Sequence, residues 1–97
     1  MSIYRFPAYI VTNDMNLRSQ LDKILSEYRE AKSQEIRYRC GGKDIIERQA
    51  LGMELLDIIH ATETALRMEF TDEEVEDYRA KVIEKNANRN YYKVAKC

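Results

Sequence analysis

Hydrophobic and polar positions alternate along the first stretch of the chain. Between residues 3 and 12, Tyr4, Phe6, Ala8 and Ile10 fall on one side, and Ile3, Arg5, Pro7, Tyr9 and Val11 on the other. A period of two carried by aromatic and β-branched residues predicts a strand. Pro7 lacks the N–H that a ladder needs, which places that part of the strand at an edge or a bulge. From Leu17 the period lengthens. Leu17, Leu21, Ile24, Leu25, Tyr28 and Ala31 recur at helical spacing, with Arg18, Asp22, Lys23, Glu27 and Arg29 turned outward. Asn13 or Asp14 supplies a side-chain oxygen able to cap this helix.

Alternation returns at Glu35. Ile36, Tyr38 and Cys40 oppose Glu35, Arg37 and Arg39, and Gly41-Gly42 offers the positive φ values of a tight hairpin before a short return strand from Lys43 to Ile46. The next segment carries Ala50, Leu51, Leu55, Ile58 and Ile59 at helical spacing. Gly52 in its middle costs about 1 kcal/mol against alanine and signals close packing at that point. Thr64, Leu66, Met68 and Phe70 then alternate with Glu63, Ala65, Arg67 and Glu69, a fourth strand with its apolar side inward. Thr71 with Glu74 three residues on forms a capping box for a last helix with Val75, Tyr78, Val82 and Ile83 on its buried stripe, ending near Asn86. The predicted order is β-α-β-β-α-β-α, an α+β fold with an antiparallel sheet and helices on one face.

Composition narrows the class. The chain of 97 residues makes one domain, and 44% hydrophobic with 34% charged residues suits a solvated globular protein. Its 16 basic and 17 acidic side chains leave a net charge of −1, where a dedicated nucleic-acid binder is clearly basic. No apolar run approaches the roughly 18 residues that a membrane span needs, and the Arg5- and Pro7-containing start does not read as a signal peptide. The cytoplasm is the expected compartment. Cys40 and Cys97 lack a metal or redox spacing, and His60 is the single histidine, which excludes a zinc site built on paired histidines. No metal or cofactor is expected.

The stretch IRYRCGGKDIIERQALGMELL, residues 36 to 56, resembles the HPr family of small phosphocarrier proteins, with Gly42-Lys43 at the family's hairpin and Gly52 at its helix glycine. The element order is similar over residues 3–86. The resemblance implies an open-faced β-sandwich, a four-stranded antiparallel sheet with three helices on one face, over residues 1–86, followed by a basic, aromatic tail at 87–97. In the family a phosphorylated histidine stands at the start of the first helix. Here Arg18 falls at the family arginine, but Asn16 occupies the histidine position and Ser19 the proline position, and Gln49 replaces the regulatory serine. An asparagine amide is not a phosphoryl nucleophile. The resemblance therefore implies a scaffold without phosphotransfer.

The remaining candidates have structural roles that explain them. Asp14 can accept a phosphoryl group, yet a helix-entry acid is first a cap. His60 reads as a partner of a helix C-terminus, the acids after Thr71 as a helix start, and Met53 and Met68 as packing. The working surface implied by the resemblance is a protein-docking face of Met15, Asn16, Arg18, Gln49, Ala50, Met53 and Glu54. The expected function is a non-enzymatic protein–protein interaction or regulatory module whose partner is another protein, in the setting of a phage or prophage accessory factor that modulates a host protein. The alternative is a small nucleic-acid-binding protein that uses Arg89, Tyr91, Tyr92 and Lys93 of the tail for charge and stacking.

Overall fold

From Asn16 to Cys40 the chain contains neither glycine nor proline, and residues Leu17–Cys40 form one unbroken helix, α1. The computed structural model describes residues 2–10 and 14–92, and among these it holds three helices and no strand. α2 runs Ile45–Glu69 and α3 runs Asp72–Asn88. The expected β-α-β-β-α-β-α order, the four-stranded HPr-like open-faced sandwich and the family resemblance built on them are thus overturned: the fold is all-α.

Each misread strand has a helical explanation. Glu35 and Arg39, which share one side of a supposed strand, are an i,i+4 ion pair at 3.1 Å, and Arg37 and Arg39 lie in the last turn of α1, where positive charge meets the helix C-terminus. Gly41-Gly42 does turn the chain, but between helices. The Gly41 N–H donates to the Arg37 carbonyl, a Cβ on Gly41 would lie 2.8 Å from that oxygen, and Gly42 and Lys43 both take positive φ. The predicted return strand becomes the Asp44 cap and first turn of α2, with the Asp44 carboxylate accepting from the Glu47 N–H at 2.9 Å. Residues 62–69 continue α2 and Phe70 is its C-cap, with the Thr62 and Thr64 hydroxyls donating back to the Ile58 and His60 carbonyls. Residues 2–10 are an extended strap laid on α2, not part of a ladder.

The caps follow the sequence more closely. Thr71 and Glu74 form the predicted capping box, and α3 continues past the expected boundary after residue 86 to Asn88. α1 is capped by Asn16 and not by Asp14, while Asn13 lies outside the described residues: the Asn16 side-chain oxygen accepts from the Ser19 N–H at 2.8 Å, and the Ser19 hydroxyl accepts in return from the Asn16 N–H.

α1 and α2 pack along each other as an antiparallel hairpin, and the seam between them is unexpectedly polar. Gln20, Glu27 and Gln34 recur every seven residues and are only 7%, 7% and 5% exposed. Their counterparts step back along α2 by the same interval. Gln20 donates to the Ala61 carbonyl at 2.9 Å, Glu27 faces Glu54, and the Gln34 amide bonds the Glu47 carboxylate. Buried polar side chains at heptad spacing fix the register of a helix pair, because a slip would strand each of them without a partner. Between these layers lie Ile24, Ala31, Ala50, Ile58, Ala61 and Ala65, small or half-buried.

The residues expected to fill the core lie mostly outside it. Leu21, Leu25 and Tyr28 of α1 and Phe70 are exposed, while Leu66 and Met68 are half-buried. The Cα radius of gyration is 16.5 Å, against about 12.5 Å for a compact chain of this length. The accessible surface is 8157 Å², against about 5,800 Å² for a compact monomer of this mass. No helix among the described residues is long and apolar enough to cross a membrane.

Candidate functional site

The strap at residues 2–10 is held on the C-terminal half of α2 by one acid and one base. The Glu63 carboxylate accepts from the Arg5 and Phe6 backbone N–H groups at 3.0–3.1 Å, and one Arg67 amino group donates to the Phe6 carbonyl at 2.8 Å. The Arg67 guanidinium also lies 4.0 Å from the Tyr4 ring centroid, a cation–π contact. Burial, with the Asp72 charge as second cause, raises the Tyr4 hydroxyl above the ordinary phenol range. His60 is stacked between two strap rings, 4.7 Å from Phe6 and 4.5 Å from Tyr9. Its role is thus a platform for the strap rather than the helix-end partner its sequence position suggests.

Where the strap, α1 and α2 meet, a cavity of about 380 Å³ opens. Tyr9, Met15, Gln20, Lys23, Glu27, Asp57 and His60 contribute to its lining. Lys23 is bound to Glu27 at 2.8 Å, and this pairing raises the lysine's pKa above its ordinary value. The cavity therefore gathers an ion pair, a second acid and an imidazole, but among the described residues no serine, threonine or cysteine nucleophile lines it.

Farther along the seam, Glu27, Glu30 and Glu54 place one carboxylate oxygen each within 4.8 Å of the others. The Glu27 charge raises the Glu30 carboxyl above its ordinary range, with smaller contributions from burial and Glu54. Like charges this close store repulsion, which the Lys23 ammonium relieves at one corner.

The other conspicuous surface is apolar. On the face of α2 turned away from α1, Ile45, Met53 and Leu56 are 79%, 58% and 48% exposed, and Ile46, Leu55 and Ile59 accompany them. α2 thus carries apolar side chains on all sides, and a helix of that kind is normally covered all round. The row Gly52, Ile59, Leu66 leads on toward α3, where Leu66, Val75, Tyr78, Val82 and Ile83 line a shallow apolar groove. Tyr78 packs edge-on against Phe70.

The seven residues expected to share one docking face do not meet. Because the hairpin sets Gln20 beside Ala61, Met15, Asn16 and Arg18 lie near the C-terminal half of α2, while Gln49–Glu54 lie roughly 15–20 Å away along the axis. Met15 lines the cavity, Asn16 is a cap, Arg18 and Gln49 are exposed, Ala50 faces α1, and Glu54 belongs to the carboxylate cluster. Of the seven, Gln49 falls within the exposed stripe and Met53 beside it. In the tail, Arg89 caps α3 and Tyr91 and Tyr92 are exposed, whereas Lys93 lies outside the described residues. The stripe formed by Ile45, Leu56 and Ile59 was legible as a heptad signal, once Gly52 and Gln49 are placed on the same helix face. No protein-family profile matches the chain, and no curated protein or solved structure was found similar to it.

Proposed function

We propose that the chain is a non-enzymatic helical association module whose working surface is the outer face of α2. One observation carries this reading: the seam buries glutamine, glutamate and alanine, while the large apolar side chains Ile45, Ile46, Met53, Leu55 and Leu56 of α2 are exposed. Isolated exposed apolar residues are ordinary, but a contiguous stripe on the helix that centres the fold is the mark of an interaction surface. The cavity beside the strap has acid–base groups without a nucleophile among its described lining, which supports binding and positioning roles more than a covalent reaction. Among the described residues the nucleic-acid alternative draws on the exposed Tyr91 and Tyr92 and on Arg89, set against six acids in α3.

Oxidation of Met53 by dilute hydrogen peroxide, read by peptide mass spectrometry, tests the reading. In the dilute chain Met53 is expected to oxidise as an exposed methionine, faster than half-buried Met68, and to become protected on association. Protection in a dilute monomer would mean that the chain covers its own stripe, and the reading would fall.

A further inference from the structure

Gly52 stands in the middle of an otherwise uninterrupted helix, where glycine weakens helical order relative to alanine. A helix glycine usually earns its place by letting something approach closely. Inside this chain nothing does: a Cβ built on Gly52 meets no atom within 4 Å. The close packing that the glycine signals is therefore not made by this chain on its own. Around the glycine, Ile45, Gln49, Gly52, Leu56 and Ile59 fall on a seam of heptad spacing, with Arg48 at its edge donating to the Tyr38 hydroxyl at 3.0 Å.

The free length of that seam has a definite centre. At one end it begins at Ile45, directly after the Asp44 cap. At the other it stops before Glu63, whose carboxylate the strap covers, and Leu66 beyond it is half-buried beside α3 residues. Ile45 and Ile59 lie seven residues on either side of Gly52, so the glycine is the midpoint of what the strap leaves open. An antiparallel pair crossing at that midpoint sets the same two isoleucines against each other at both ends, as a twofold interface requires.

From this geometry, and resting on the association reading above, we infer that the occupant is a second copy of this chain. Two α2 helices cross antiparallel at a twofold axis beside Gly52, with Ile45 of each copy against Ile59 of the other. The area agrees. The chain exposes about 2,300 Å² more than a compact monomer, while a partner contributes roughly 800 Å² to a standard interface and about 1,000–2,500 Å² to an obligate homodimer. That margin leaves room for the nine residues outside the described set. The seam holds no charge to repel its copy, and the glycines at the crossing let the two backbones approach.

Sedimentation equilibrium of the full chain, from about 1 to 100 μM, provides the test. The expected species is a dimer, weakened at least about tenfold by Gly52→Ala and abolished by Gly52→Leu, with helix content by circular dichroism unchanged in both. Since the added methyl of Gly52→Ala meets open space within the chain, the variant folds. In a Cys40→Ser, Cys97→Ser background, the pair Ile45→Cys with Ile59→Cys should form an interchain disulfide with diamide, and either substitution alone should not. A monomer throughout the range, a dimer indifferent to Gly52→Leu, or cross-linking by Ile45→Cys alone would each overturn the inference. If the chain is monomeric, Met53 tells the two failures apart. Free oxidation leaves the association reading standing without a second copy, and protection removes both.

Discussion

The two long faces of α2 have opposite chemistry. Toward α1 it presents Glu47, Glu54 and the Ala61 carbonyl to Gln34, Glu27 and Gln20. Away from α1 it presents Ile45, Met53, Leu56 and Ile59 to open space. Polar groups in a seam contribute little net energy once their own hydration is lost, but a register error leaves them unpaired at a cost of about 1–3 kcal/mol each. The inner face therefore specifies how the hairpin is assembled, whereas the outer face holds most of the apolar surface with which an assembly could be stabilised. The first face chooses, and the second binds.

The largest effect should come from placing a charge on the outer face. Leu56→Asp would bury an unpaired carboxylate from each copy in a dimer, at about 3–5 kcal/mol per uncompensated charge, enough to lower self-association by a hundredfold or more. Ultracentrifugation should show monomer, with an unchanged helical spectrum because position 56 faces away from α1. The inner face already holds carboxylates, so an equal loss of hairpin structure in this variant would contradict the division between faces.

A smaller loss is expected where the strap bounds the stripe. Glu63→Ala leaves the Arg5 and Phe6 N–H groups without their acceptor, and should cost about 1–3 kcal/mol in chemical denaturation. It should also free the His60 face, seen as faster proteolysis within residues 2–10. An unchanged cleavage rate would show that the strap is held by its rings and not by the carboxylate.

The smallest effect belongs to the start of α3, outside the α1–α2 hairpin. Thr71→Ala removes the cap and should cost about 1 kcal/mol. The same cap carries a pH dependence. The Thr71 backbone N–H, and next the Thr71 hydroxyl, hold the Glu74 carboxyl below its ordinary range. Its contribution is thus complete above the usual carboxylate value and is lost as pH falls through the lowered one. Acid titration of thermal stability should show this loss in the wild type and less of it in Glu74→Gln, and identical profiles would contradict it.

How much of this was legible in the sequence differs from residue to residue. Thr71 and Glu74 announce a helix start because a capping box uses only neighbouring atoms. Gly41-Gly42 announces a reversal because the positive φ of Gly42 is one that glycine adopts readily, whereas the close packing expected at Gly52 is not made within the chain, where a Cβ would meet nothing within 4 Å. Ile36, Tyr38 and Cys40, and likewise Thr64, Leu66, Met68 and Phe70, fit a period of two over a few residues, but such short windows do not separate strand from helix. The unbroken runs without glycine or proline, the Glu35–Arg39 spacing and the basic last turn of α1 were the stronger signals. The expected docking face is divided by the topology: Met15 and Met53 were to share a surface in a sandwich but lie far apart on an antiparallel hairpin.

What the sequence by itself determined about this protein is local: where α3 starts and where the chain turns between α1 and α2. These depend on interactions within a few residues. Only the tertiary structure decided which face of each helix is inner. Leu21, Leu25 and Tyr28 make the more apolar stripe of α1, yet Gln20, Glu27 and Gln34 enter the seam, because in the hairpin those polar groups find the Ala61 carbonyl, a neighbouring lysine and the Glu47 carboxylate as partners. A hydrophobic residue needs only to leave water and can do so against any apolar surface, including that of another molecule, whereas a buried amide or carboxylate needs a particular atom at a particular distance.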